Sequence, residues 1–133
     1  MTDQIRVLLI DDEAVFLESL TKVLARRGMS IQSAHDGYKA LEILTSEEFD
    51  VIVLDVRMPG MDGLATLKAI RNRDALTPVL LLTGHIDLDQ VLQAMKGGVG
   101  EVFLKPCPVE NLVSAIENAY ERKGFAREVA RKW

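Results

Sequence analysis

Val7-Leu8-Leu9-Ile10-Asp11-Asp12 is an unbroken apolar run that stops at two carboxylates. Aliphatic runs of this kind are typical of strands that are buried on both faces of a parallel sheet. Three further runs also stop at a polar or charged residue, at positions 51–55, 79–83 and 102–105. Because parallel strands share one carboxyl edge, the ends of all four runs are predicted to meet there, where open α/β sheets place their sites.

Amphipathic helical patterns separate these runs along the whole chain. Strands are predicted near 5–10, 30–34, 51–54, 79–82 and 101–104. Five strands alternating with five helices predict an α/β fold, a doubly wound five-stranded parallel sheet with right-handed crossovers. The first helix is predicted to end at Gly28, the second to start near Asp36 and the third to be capped by Asp62.

The last two helices complete the predicted domain. The fourth helix is predicted to carry Val91, Leu92 and Met95 on its apolar side and to end at Gly97-Gly98. The fifth is predicted to begin after Pro108. We expect one domain over 1–123, with 124–133 either extending the fifth helix or starting a linker.

Composition excludes several classes of function. The 133 residues carry a net charge of −4 and are 48% hydrophobic, which argues against a nucleic-acid-binding domain and against disorder. No apolar run approaches the roughly 18 residues of a membrane span, and the polar first residues lack a signal peptide. The single Cys107 permits no internal disulfide. A cytoplasmic protein without membrane contact is expected.

Three aspartates are predicted to share the carboxyl edge. Asp11 and Asp12 end the first strand, and Asp55 follows the third. Two carboxylates about 5 Å apart repel by about 3 kcal/mol at an effective dielectric of about 20, so three together favour a bound cation. Mg²⁺ suits a site that also takes a phosphate, better than Ca²⁺ does. The alternative is that one or more of these aspartates only caps the following helix.

Lys105 and Thr83 bring a positive charge and a hydroxyl to the same edge. Lys105 can pair with Asp55 at rest and with a phosphoryl oxygen afterwards, and its bond to Pro106 in a tight turn is expected to be cis. Thr83 can donate to a phosphoryl oxygen, and Gly84 leaves space for a phosphodonor. The alternatives are a strand-end lysine that snorkels to solvent and an ordinary strand-end threonine.

A carboxylate flanked by a metal ion and a lysine can attack a phosphoryl group and form an acyl phosphate. With that chemistry in view, the chain resembles the receiver domain of bacterial two-component response regulators, a flavodoxin-like (CheY-like) fold, over about 5–120. The segments that carry the resemblance are Leu9-Ile10-Asp11-Asp12-Glu13, Asp55-Val56-Arg57-Met58-Pro59-Gly60-Met61-Asp62-Gly63, Leu82-Thr83-Gly84 and Phe103-Leu104-Lys105-Pro106.

The resemblance implies a role for each site residue. Asp55 is the implied phosphoacceptor, loaded by a sensor histidine kinase or phosphotransfer protein. Asp11, Asp12, Asp55 and the backbone carbonyl of Arg57 are the implied Mg²⁺ ligands, and Thr83 and Lys105 the residues that sense the phosphoryl group. The resemblance also implies output to a downstream protein through helix four, strand five and helix five, and it allows a phosphorylation-linked homodimer. Activity beyond self-phosphorylation and slow autodephosphorylation is not expected, nor is direct contact with nucleic acid.

The sequence departs from the family at two positions, and two further positions near the site are variable. Val102 stands where the family usually has a switching Tyr or Phe, and the adjacent Phe103 should point to the opposite face of the strand. Movement of Thr83 is therefore expected to be transmitted by backbone shifts. Cys107 replaces a frequent Phe. Arg57 and His85 either gate water at the site or are solvated surface residues.

Two other classes of function remain open from the residues alone. One is a Mg²⁺-dependent hydrolase with Asp55 as nucleophile, but Arg57 stands where the haloacid dehalogenase type has a second aspartate. The other is a flavodoxin-like nucleotide or flavin binder, but the turn after the first strand is acidic and lacks the glycines of a phosphate cradle.

Overall fold

The fold alternates strands and helices from one end to the other. The computed structural model describes residues 4–56, 61–84 and 87–132. Its strands are β1 Arg6–Ile10, β2 Ser30–Ala34, β3 Val51–Leu54, β4 Val79–Thr83 and β5 Val99–Leu104. Its helices are α1 Ala14–Arg26, α2 Gly37–Leu44, α3 Gly63–Arg73, α4 Leu88–Lys96 and α5 Val109–Lys132.

The five strands form one parallel sheet in the order β2-β1-β3-β4-β5. The predicted α/β fold with a doubly wound parallel sheet is therefore confirmed. Ile10 pairs with Leu54, so that β1 and β3 end side by side at the carboxyl edge. On the other side of β3, Leu54 pairs with Leu81, and Thr83 at the end of β4 pairs with Leu104 of β5. The residues at which the four apolar runs end consequently lie next to one another.

The sheet lies between two helical layers because its strand residues alternate between the two faces. In β1, Leu8 and Ile10 join one core cluster, whereas Val7 and Leu9 join the other. Residues of α2, α3 and α4 complete the first cluster, and residues of α1 and α5 complete the second. Unbroken apolar runs in the central strands are the consequence, since both faces of the sheet are covered.

Polar side chains and glycine set the helix ends. The Asp36 carboxylate accepts the backbone N–H three residues later at 2.7 Å, and the Asp62 carboxylate does the same at 2.8 Å. The predicted start of α2 and the predicted cap of α3 are thus confirmed. Gly28 follows α1 with a φ of 84°, a left-handed conformation that favours glycine, as predicted.

The apolar side of α4 is largely exposed to solvent. Leu92 is 49% exposed and Met95 58% exposed, and Leu88 on the same helix is also exposed. Of the α4 residues only Ala94 is buried. Leu92 and Met95 thus lie on the predicted helix, but residues 4–56, 61–84 and 87–132 supply no surface that covers them.

The last strand begins earlier than predicted, and the last helix runs through the residues for which an extension or a linker was expected. β5 begins at Val99 rather than near Glu101, and α5 continues to Lys132, so that residues 124–132 are helical. Within the described residues, no helix combines the length and the apolar character that crossing a membrane requires.

Candidate functional site

Three carboxylates meet at the carboxyl edge between β1 and β3. Asp11 and Asp55 are each only 4% exposed, whereas Asp12 is exposed to solvent. One carboxylate oxygen from each of the three lies within 4.8 Å of the other two. The backbone N–H of Asp55 donates to the Ile10 carbonyl at 2.9 Å, which continues the pairing of the two strands past their ends. The Asp11 N–H likewise donates to the Ala34 carbonyl at 3.1 Å, so Asp11 and Asp55 are both tied to neighbouring strands by backbone hydrogen bonds.

The side chain of Lys105 reaches into this cluster from the end of β5. Its ammonium donates to Asp11 Oδ2 at 2.5 Å and to Glu13 Oε1 at 2.8 Å, and it lies 3.6 Å from Asp55 Oδ2. Asp55 is thus the third partner of Lys105, and the two nearer ones are Asp11 and Glu13. Only 12% of the Lys105 side chain and 5% of the Asp11 and Asp55 side chains are exposed, so these three charges interact with little screening.

The pKa values of Asp11 and Lys105 are set by burial and hydrogen bonding together. Burial raises the pKa of Asp11, and the nearby charge of Asp55 adds to this, although hydrogen bonds from Lys105 and from the Glu13 N–H oppose it. Burial alone would lower the pKa of Lys105, but its bonds to Asp11 and Glu13 outweigh burial and raise that pKa. At neutral pH the site therefore holds a protonated lysine among several acidic groups.

The carboxyl ends of β4 and β5 form the side of the site next to β3. Thr83 is 1% exposed, and its carbonyl accepts the Lys105 N–H at 2.9 Å. The peptide bond between Lys105 and Pro106 is cis, as predicted. A Cβ built on Gly84 would lie 3.9 Å from the Lys105 side chain, an ordinary van der Waals contact without a clash.

A close contact fixes α3 against the backbone of the site. The N–H of Gly63, the first residue of α3, donates to the Val56 carbonyl at 2.8 Å. A Cβ at position 63 would collide with the carbonyl oxygen of Asp55 and with Val56. Glycine is required at this position by the close approach of the two backbones.

Sequence reasoning missed two residues that contact Lys105. Glu13 accepts a hydrogen bond from its ammonium, and the Phe16 ring lies with its centroid 4.2 Å from the ammonium nitrogen. Glu13 stands directly after the aspartate pair, which is a usable signal. The spacing of Phe16 places it on the apolar side of α1, and it does pack against the core cluster of α1 and α5; nothing in that spacing indicates a cation above its ring.

Three remaining predictions concern the surroundings of the site. Val102 and Phe103 pack against opposite core clusters, as expected for neighbours in a strand. Cys107 is half-buried and burial raises the pKa of its thiol. Arg57, whose carbonyl is an expected metal ligand, and His85 lie outside the described residues.

The fold and this arrangement at the carboxyl edge define a receiver domain of a two-component response regulator. Residues 7–117 match the response regulator receiver domain family, and the chain belongs to that family. One relative, the DNA-binding transcriptional regulator NtrC of Escherichia coli strain K12, is 37% identical over 113 residues, which is 85% of this chain and 24% of NtrC. This chain spans about a quarter of the length of that relative.

Solved structures agree with the family assignment. A response regulator receiver domain from Clostridium thermocellum is 34% identical with a TM-score of 0.86, over 92% of this chain and 98% of its own. A CheY-like receiver domain from Methanospirillum hungatei reaches a TM-score of 0.90 at 20% identity, over 93% of this chain and 99% of its own, which supports the fold. Among the three classes considered from sequence, family membership favours the signalling domain.

Proposed function

We propose that this receiver domain is switched by phosphorylation of Asp55. The observation that carries the proposal is the position of Asp55, which is buried at the end of β3 with two other carboxylates and one ammonium group around it. The donor is a phosphohistidine on a sensor histidine kinase or phosphotransfer protein. Family membership supports this choice of donor.

The transfer needs no acid or base from the protein. A carboxylate oxygen of Asp55 attacks the phosphorus, a new P–O bond forms, and the bond from phosphorus to the leaving group breaks. With acetyl phosphate as a small donor, the electron pair of that bond leaves with acetate, and the acyl phosphate on Asp55 takes over the two phosphoryl charges. The protein's contribution is positioning and charge stabilisation.

The carboxylate cluster fits a hard divalent cation. Oxygens of Asp11, Asp12 and Asp55 lie close enough to be shared by one ion, and oxygen donors are what Mg²⁺ prefers. We propose these three residues and the Arg57 carbonyl as its ligands. When bound, Mg²⁺ supplies positive charge to the transferring phosphoryl oxygens.

Lys105 and Thr83 are proposed to respond to the new phosphoryl group. That group adds about −1.5 to −2 charges at neutral pH, and Lys105 carries the opposite charge within reach of Asp55. Thr83 is the last residue of β4, one strand away from Asp55. Movement of these residues would alter the surface of α4, β5 and α5, and so bias contact with a downstream protein or a second copy of the chain.

The test is intact-mass measurement after incubation with acetyl phosphate and Mg²⁺. We expect wild-type protein to gain the mass of one phosphoryl group and Asp55→Asn to gain none. Asp89→Asn, which removes an exposed carboxylate of α4, serves as the matched control and should be labelled like the wild type. An unmodified wild type, or equal labelling of Asp55→Asn, would contradict the proposal.

A further inference from the structure

Phe16 makes a contact with Lys105 that its place in the apolar stripe of α1 does not require. The ammonium nitrogen lies 4.2 Å from the centroid of the Phe16 ring. A cation over an aromatic face is attracted by the ring quadrupole, more strongly where water is excluded. Because only 12% of the Lys105 side chain is exposed, this contact is largely shielded from water.

The other partners of the ammonium are charged groups with competing roles. Asp11 and Asp55 are proposed metal ligands, so their charge is shared once a cation is present. Glu13 is 61% exposed and its side chain is correspondingly free to exchange with water. Unlike Asp11 and Asp55, the Phe16 ring is not a proposed metal ligand, so its contact with the ammonium does not compete with metal binding.

We propose that Phe16 is a positioning residue that holds the Lys105 ammonium beside Asp55 while the surrounding carboxylates change partners. This inference rests on the proposed function, because the group that the Lys105 ammonium is proposed to bind is the phosphoryl group on Asp55. The ammonium lies 3.6 Å from Asp55 Oδ2, slightly beyond a direct hydrogen bond. A phosphoryl oxygen carried by Asp55 extends from that carboxylate, so that Lys105 can bind it without leaving the ring.

The competing explanation is that Phe16 only fills space in the core. Two substitutions separate the explanations. Phe16→Tyr keeps an aromatic face and adds a hydroxyl to a partly exposed side chain, whereas Phe16→Leu keeps apolar burial and removes the face. A packing role would be served by leucine; a positioning role requires the ring.

The first measurement is the rate of phosphorylation by acetyl phosphate at fixed Mg²⁺. We expect Phe16→Leu to react about two- to thirtyfold more slowly than wild type, as the range of cation–π energies implies. Phe16→Tyr should react at about the wild-type rate, and so should the control Phe125→Leu, which alters a 72% exposed ring of α5. In a Lys105→Met background, Phe16→Leu should cause no further slowing, because the partner of the ring is gone.

A second measurement does not depend on phosphorylation. The ring current of Phe16 should shift the NMR signals of the Lys105 side-chain methylene next to the ammonium, in wild type and in Phe16→Tyr but not in Phe16→Leu. If wild type takes up no phosphoryl group, the proposed function fails and this inference fails with it. Two outcomes would overturn only the inference, provided that wild type is phosphorylated. One is that Phe16→Leu is phosphorylated at the wild-type rate, and the other is that Phe16→Tyr is slowed as much as Phe16→Leu.

Discussion

At the amino edge of the sheet, Asp74 closes the turn between α3 and β4. Its Oδ1 accepts the backbone N–H groups of Leu76 at 2.9 Å and Thr77 at 3.1 Å, and its Oδ2 accepts the Thr77 hydroxyl. The buried Lys123 donates to the same Thr77 hydroxyl at 3.0 Å and to the Phe49 carbonyl at 2.9 Å. One carboxylate therefore organises a turn to which α5 is also tied.

Removing this carboxylate should change how stability depends on pH. Burial acts to raise the pKa of Asp74, but the hydrogen bonds from Leu76 and Thr77 and the charge of Lys123 outweigh it and lower the pKa. A lowered pKa stabilises the fold above the unfolded value of about 3.9, and this contribution is lost as the pH falls through the folded value. Asp74→Asn should therefore lower the free energy of unfolding at pH 7 by roughly 1 kcal/mol and flatten its fall below about pH 4.

Urea titrations of wild type and Asp74→Asn, repeated from pH 7 to below about pH 4, would measure both effects. Glu121→Gln, which alters an exposed carboxylate of α5, is the control and should follow the wild-type curve. If the free energy of unfolding falls equally steeply with decreasing pH in wild type and in Asp74→Asn, the hydrogen bonds of this turn do not stabilise the ionised form of Asp74.

Among the elements, α4 is the helix whose sequence pattern is least informative. Its apolar residues recur at helical spacing, but Leu88, Leu92 and Met95 are exposed. Periodicity indicates that a helix has an apolar side, but it does not show whether the same chain supplies a surface to cover that side. The caps and the central strands are predictable because their causes are local: an aspartate before a helix, or a run of aliphatic residues.

The weak burial of α4 should be visible in its dynamics. Amide hydrogens in 91–96 are expected to exchange faster than those in 17–24 of α1, because α1 buries Leu17, Leu20 and Leu24 whereas α4 buries only Ala94. Hydrogen exchange followed by mass spectrometry on peptides from the two helices would test this. Protection of α4 equal to that of α1 would show that burial does not set the local opening of this helix.

For the whole molecule, the sequence predicted which residues meet but not how their side chains pair. The run ends at Asp11, Asp55, Thr83 and Lys105 converge because parallel strands share an edge, a consequence of topology alone. That Lys105 lies nearest Asp11 and Glu13 depends on side-chain rotamers and on burial. Those are properties of the assembled site, and no pattern along the chain encodes them.

The clustered carboxylates should also link metal binding to global stability. An ion that binds only the native state stabilises it by about 2.7 kcal/mol at a free concentration 100-fold above its dissociation constant. MgCl₂ should therefore raise the melting temperature of wild type relative to NaCl of matched ionic strength, and Asp12→Asn should reduce this rise. Asp89→Asn is the control that should respond like wild type, and equal rises in all three proteins would argue against a cation at the cluster.

The close approach at Gly63 has a consequence for mutational tolerance. Position 63 leaves no room for a Cβ against the backbone of Asp55, whereas a Cβ at Gly124 in α5 would meet no atom within 4 Å. In a library of random variants selected for folded protein, position 63 should retain glycine alone. Position 124 should accept most residues and gain from alanine, since glycine within a helix costs about 0.5–1 kcal/mol. Recovery of other residues at position 63 would show that the first turn of α3 can move away from Asp55.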